Sequence, residues 1–151
     1  MCAHRFKCKW LIGTAHNIGR CSSLQAELLA LIDGLELAWN EGHMFVKVEV
    51  DCLLALNLLK QEGKQVNVFS SFIRQILSLF GRDWQIEIQH VYREGNKCAD
   101  YLATYALQLE VGRHLLQQPP DGLQYLLHED ELGIGQERLI YVVWSFEIFP
   151  L

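Results

Sequence analysis

The sequence predicts a single α/β domain, with helices packed against a sheet. The predicted elements follow one another as strand, helix, strand, helix, helix, strand and helix, an order typical of layered α/β folds with right-handed crossovers. Half of the 151 residues are hydrophobic, and a chain of this length can bury a substantial core. The sequence shows no internal repeat and no low-complexity tract.

The first predicted strand covers residues 8–18 and ends in a turn at Asn17 to Gly19. A helix is predicted over residues 22–39, because Ser22 and Gln25 have the spacing of a capping box. Its apolar face contains Leu24, Leu28, Leu31, Ile32, Leu35 and Trp39.

Three acids lie on this helix. Glu27 falls roughly 60° from Leu24, at the edge of the apolar face, whereas Asp33 and Glu36 are expected on the solvated side. A carboxylate beside a core face is costly unless it has a partner or a metal. The alternative for Glu27 is an edge glutamate that reaches water.

The second strand is predicted over residues 45–51, with Val46, Val48 and Val50 on one face. A helix over residues 52–60 follows it directly. Asp51 is therefore expected at the end of a strand, where ligand sites of open α/β sheets gather. The alternative is that Asp51 serves only as the N-cap of the helix.

The rest of the chain predicts two further helices and one strand. A loop at 61–66 leads to a helix over 68–80, a strand over 84–92, a loop at 93–96 and a helix over 97–111. His90 lies on the strand and could be an ordinary sheet residue. Asp100 lies in the first turn of the last helix, where an acid can also simply complement the helix dipole.

Composition limits the classes of function. A net charge of −5 does not suit a protein that binds nucleic acid by charge alone. The five cysteines are widely spaced and form no CxxC pair, which indicates free thiols in a reducing compartment. No secretory leader and no apolar run long enough to span a bilayer is recognisable, so we expect an intracellular protein, nuclear or cytoplasmic.

Glu27, Asp51 and Asp100 share one feature, since each lies at an apolar edge or an end of its element. We expect them to converge at one end of the sheet. Clustered carboxylates raise one another's pKa unless a cation balances them. Oxygen ligands of this kind select Mg²⁺ or Mn²⁺.

Three blocks of sequence, in order, resemble the type 1 ribonuclease H superfamily. They are SSLQAEL at 22–28, VEVD at 48–51 and HVYREGNKCAD at 90–100. The closest likeness is to the plant ribonuclease H-like domains related to non-LTR retrotransposon reverse transcriptases. The resemblance extends from about Lys9 to Ile140.

This resemblance implies a mixed five-stranded sheet with flanking helices, and two Mg²⁺ ions that cleave the RNA strand of an RNA–DNA hybrid. Position by position, Glu27, Asp51 and Asp100 match metal ligands and His90 matches the histidine that helps to move protons or product. Asn96 matches a residue that shapes the loop before the last helix, and Ser23 matches a substrate-contacting polar residue.

The sequence departs from the family at its start, because no Asp or Glu precedes Glu27. The first matching strand resembles the family's third, so the first strands and a fourth metal-binding carboxylate are expected to be missing. We therefore expect a truncated ribonuclease H-like domain at 8–112, an extension at 113–140 and an apolar, β-prone tail of unknown role at 141–151.

These observations favour a nucleic-acid-binding domain of the hybrid-cleaving family with weak or no activity. Two alternatives stay open. The chain could be a non-enzymatic module that binds nucleic acid or protein on the same scaffold, or a defective fragment derived from a retroelement.

Overall fold

The computed structural model describes residues 10, 12–61, 66–92 and 97–132. The elements run in the order β1 (Gly13–Asn17), α1 (Ser23–Asn40), β2 (Phe45–Val50), α2 (Leu53–Lys60), α3 (Ser70–Phe80), β3 (Gln85–His90), α4 (Lys97–Ala106), β4 (Gly112–Leu116) and α5 (Asp121–Leu132). The predicted α/β fold class is confirmed.

The described strands form two sheets of two strands each. β2 and β3 run parallel, with Phe45 opposite Gln85 and Val50 opposite His90. β1 and β4 run antiparallel, with Gly13 opposite Leu116. In the described part of the chain, the five-stranded sheet implied by the resemblance is thus represented by two smaller pairs.

Helix α1 begins as its sequence predicts. The Ser22 hydroxyl accepts a hydrogen bond from the backbone N–H of Gln25 at 3.2 Å, which satisfies one of the free donors of the first turn. The helix ends before Gly42, which adopts a φ of +80° that favours glycine. Residues buried on more than one side make α1 the central helix of the domain.

Two apolar clusters flank α1. The larger cluster joins α1, β2, α2 and α3 around Leu28, Leu35, Val48 and Ile76. The smaller one joins α4 and α5 through Leu102 and Leu123, and it includes Ala30 of α1. One helix therefore contributes to both parts of the core.

The C-terminal half differs from the prediction. The helix predicted over 97–111 ends at Ala106, and β4 follows it. Gly112 opens β4 with a φ of +130°, a conformation that side chains other than glycine rarely adopt. Helix α5 starts at Asp121, directly after Pro119 and Pro120.

Several predicted features lie outside the described residues. They are the start of the first strand at 8–9, the loop at 93–96 with Asn96, and the tail at 141–151. Within the described part of the chain, no helix has the length and apolar character needed to cross a membrane.

Candidate active site

Asp51 follows the last residue of β2 and precedes α2. Cys52, not Asp51, is the N-cap of α2, and it makes no side-chain capping bond. Both carboxylate oxygens of Asp51 are buried, and neither has a hydrogen-bond partner among the described residues. The N-cap interpretation of Asp51 is therefore wrong, because a capping carboxylate would accept a bond from a backbone N–H of the first turn.

His90 lies beside Asp51 because β2 and β3 are parallel and in register, with Val50 opposite His90. The Nε2–H of His90 donates to the backbone carbonyl of Asp51 at 3.1 Å. Its exposed ring also meets Tyr92 edge to face, with ring centroids 5.4 Å apart. The parallel pairing thus places an imidazole and a carboxylate at one end of the sheet.

Glu27 is almost completely buried, at 2% exposure. The interpretation as an edge glutamate that reaches water is therefore wrong. Helix α1 packs against α2, and this packing brings Glu27 towards the start of α2. A buried carboxylate is costly without compensation.

The thiol of Cys52 lies close to both Glu27 and Asp51, as the causes of its raised pKa show. Burial raises the pKa of the Cys52 thiol above its ordinary value, and the negative charges of Glu27 and Asp51 raise it further. The backbone N–H of Ala55 acts in the opposite direction. Because Coulomb interactions weaken with distance, Glu27 and Asp51 both lie near this thiol. Cys52 carried no sequence signal, since a single cysteine at a helix start has no pattern.

Asp100 is half-buried in the first turn of α4. Its backbone carbonyl accepts a hydrogen bond from the Thr104 hydroxyl at 3.2 Å. Helix α4 packs near Ala30, one turn after Glu27 on α1. Ser23 is exposed as the first residue of α1.

Within residues 12–61, 66–92 and 97–132, no group of three or more His, Cys, Asp or Glu side chains is close enough to hold a metal ion. Convergence of all three carboxylates thus stays a prediction. The donor set nevertheless fits a hard cation, since the buried oxygens of Asp51 have no hydrogen bonds and Mg²⁺ prefers carboxylate ligands.

A second polar cluster was not predicted. Asp33 is 6% exposed, and its carboxylate accepts from His16 Nδ1 at 2.6 Å and from Arg113 at 3.4 Å. The expectation that Asp33 is solvated is therefore wrong, because the β1–β4 pair covers this side of α1. Glu36, also expected in solvent, is partly covered and lies 3.6 Å from Arg113.

Comparisons with known proteins identify the family of the chain. The reverse transcriptase-like family matches residues 5–106. A protein of Arabidopsis thaliana, provisionally named a ribonuclease H protein, is 39% identical over 131 residues, which cover 87% of this chain. The aligned region is 21% of that relative, so the chain corresponds to about a fifth of its length. No solved structure matches significantly. The chain therefore belongs to the reverse transcriptase-like family and is a ribonuclease H-like domain of the plant type.

Proposed function

We propose that this domain binds RNA–DNA hybrids at the Asp51 end of β2 and hydrolyses the RNA strand with bound Mg²⁺ or Mn²⁺, slowly when the 151-residue chain acts alone. The family match and the name of the Arabidopsis relative support this assignment. The free thiols of Cys21, Cys52 and Cys98 are in keeping with an intracellular location, nuclear or cytoplasmic.

The buried carboxylate of Asp51 is the observation that carries the proposal. A carboxylate whose two oxygens lack hydrogen bonds destabilises a folded protein unless something else compensates its charge. A divalent cation would do so, and Glu27 would contribute a second carboxylate, since its charge and that of Asp51 both raise the pKa of the Cys52 thiol. Buried polar atoms in folded proteins are nearly always hydrogen-bonded, and an exception of this kind is explained by a bound ion or by a functional role.

The roles of the residues follow from their positions. Glu27, Asp51 and Asp100 would hold the metal, and a metal bound there would polarise the phosphate and activate a water molecule. His90 is exposed beside Asp51, so its imidazole can carry a proton between the site and solvent. Ser23 and Asn96 are proposed to contact the substrate, which such a site would recognise through backbone shape and 2′-hydroxyl groups.

Low activity is expected because residues 1–26 contain no Asp or Glu. A fourth carboxylate that shares both metal ions is therefore not supplied from that part of the chain. Loss of an electrostatic group of this kind typically reduces the rate by about 10² or more.

A labelled RNA–DNA hybrid tests the proposal. We expect Mg²⁺-dependent cleavage at least about 100-fold slower than by an intact family member, and no detectable cleavage by Asp51→Asn. Glu49→Gln is the matched control, since Glu49 lies on β2 two residues before Asp51 and accepts a hydrogen bond from Gln89. Cleavage at an ordinary rate by the 151-residue chain would contradict the argument from the missing carboxylate.

A second candidate is a binding module without catalysis, which the lack of acids before Glu27 favours. The enzyme and the binding module can be distinguished by fusing, ahead of Lys9, a family-like first strand that carries an aspartate. Recovery of cleavage supports the enzyme, whereas hybrid binding without cleavage in the fused protein supports the module.

A further inference from the structure

Strand β3 is hydrogen-bonded along one edge in the described part of the chain, where its neighbour is β2. The N–H of Gln85 donates to the carbonyl of Met44, just before β2, at 2.8 Å, and the N–H of Val91 donates to the carbonyl of Val50 at the end of β2, at 2.9 Å. In a parallel pair, alternate residues bond to one neighbour. The N–H and C=O groups of Ile86 and Ile88 therefore point towards the other edge, which can accept a further strand.

An open groove follows that edge. Its volume is about 570 Å³, and four consecutive β3 residues, 85–88, contribute to its lining. Successive strand residues point to opposite faces of a sheet. Because residues 85–88 all line the groove, it runs along the edge of β3. Phe80, Trp84 and Phe45 make it apolar, and Phe45 is 46% exposed.

We propose that residues 141–149 occupy this groove as an added strand on the free edge of β3. The sequence YVVWSFEIF is rich in aromatic and β-branched residues, which favour strands. In an extended conformation Val142, Trp144, Phe146 and Ile148 form one wholly apolar face. That face matches the apolar lining contributed by Phe80 and Trp84.

The chain is long enough for this arrangement. Residues 133–140 separate the segment from the end of α5 and can span up to about 30 Å when extended. A domain of 151 residues has a radius of gyration of about 15 Å. The other parts of the chain outside the described residues that lie between elements, 62–65 and 93–96, are short and polar.

The added strand would protect an edge that otherwise favours intermolecular pairing. Pairing of residues 141–149 with β3 does not depend on the function proposed for the Asp51 end of β2. Glu147 is the only acid in the segment, so the strand adds little charge to the groove.

Amide hydrogen exchange in the full chain tests the proposal. We expect the amides of Ile86 and Ile88 to exchange at least about 10-fold faster in Trp144→Pro, because proline removes a donor and disfavours pairing. Gln136→Pro, in the linker, is the matched control and should exchange like the unsubstituted chain. If Trp144→Pro does not fold, the double variant Trp144→Ser, Phe146→Ser gives the same readout.

Two results would overturn the proposal. One is equal exchange of Ile86 and Ile88 in the unsubstituted chain and in the folded variant. The other is protection that grows with protein concentration and persists in the variant, since the edge would then pair with a second copy of the chain.

Discussion

Asp33 and Asp51 both place carboxylate oxygens inside the protein, but their surroundings differ. Asp33 accepts hydrogen bonds from His16 and Arg113, so its charge is compensated by the fold itself. Asp51 has no such partner among the described residues. This difference supports a structural role for Asp33 and is the reason for proposing that Asp51 binds a ligand.

Replacing Asp51 with Asn is therefore expected to stabilise the metal-free protein. Removing a buried, unbonded charge should raise the free energy of unfolding by about 1 kcal/mol, or the melting temperature by about 2–4 °C. Thermal unfolding with and without Mn²⁺ measures both effects. The metal should stabilise the unsubstituted chain and Glu49→Gln, but not Asp51→Asn. A destabilised, metal-free Asp51→Asn would show that the carboxylate has a structural partner.

Alkylation of Cys52 tests whether Glu27 and Asp51 lie near the same thiol in solution. Their charges raise the pKa of Cys52 in addition to burial, so removing either charge lowers that pKa. The thiolate is the reactive form of cysteine. Cys52 should therefore be alkylated about two- to fivefold faster near pH 8 in Glu27→Gln and in Asp51→Asn. This factor corresponds to a charge interaction below about 1 kcal/mol.

Peptide-resolved mass spectrometry with iodoacetamide distinguishes Cys52 from the other cysteines. Glu49→Gln serves as the control and should leave the rate unchanged, since Glu49 does not contribute to the raised pKa of Cys52. Equal rates in all three variants would place the two carboxylates away from the thiol.

Strand periodicity predicted where two residues of the candidate site lie in the fold. The alternation of β2 gave the position of Asp51, and the alternation of β3 gave that of His90. Both observations depend on local sequence alone. The burial of Asp33 depends on Arg113, which is 80 residues away in the chain, and no local pattern reports such a contact.

At the scale of elements, the pairing of β1 with β4 explains what the sequence did not reveal. The five residues of β4, GRHLL, show no alternation of apolar and polar residues, so the sequence predicts no strand there and Arg113 to Leu116 fall in the extension expected at 113–140. Their partner β1 is about 100 residues earlier. By contrast, α1 and β2 were predicted to within one residue, because caps and periodicity specify them locally.

The Asp33 cluster is expected to hold the β1–β4 pair on α1. Asp33→Asn leaves His16 and Arg113 without their buried acceptor charge and should cost about 2–3 kcal/mol in stability. Glu36→Gln removes a partly exposed contact of 3.6 Å to the same arginine and should cost less than about 1 kcal/mol. Urea unfolding of the two variants measures the difference. Equal losses would mean that burial of Asp33 does not strengthen its interactions.

On the scale of the whole molecule, α1 connects the two clusters. Leu28 and Leu31 pack into the larger cluster, while Ala30 between them packs against α4. A helix shared in this way couples the folding of both parts, since neither keeps its full set of contacts when α1 unfolds.

Leu123→Ala tests this coupling. Leu123 is fully buried in the smaller cluster, so truncation should cost about 2–5 kcal/mol. Tyr125→Ala, on the same helix but 68% exposed, is the matched control and should change stability by less than about 0.5 kcal/mol. If α1 couples the clusters, Leu123→Ala accelerates hydrogen exchange in β2 as well as in α4, although β2 belongs to the larger cluster and Leu123 to the smaller one. Faster exchange confined to α4 and α5 would show instead that the smaller cluster opens independently.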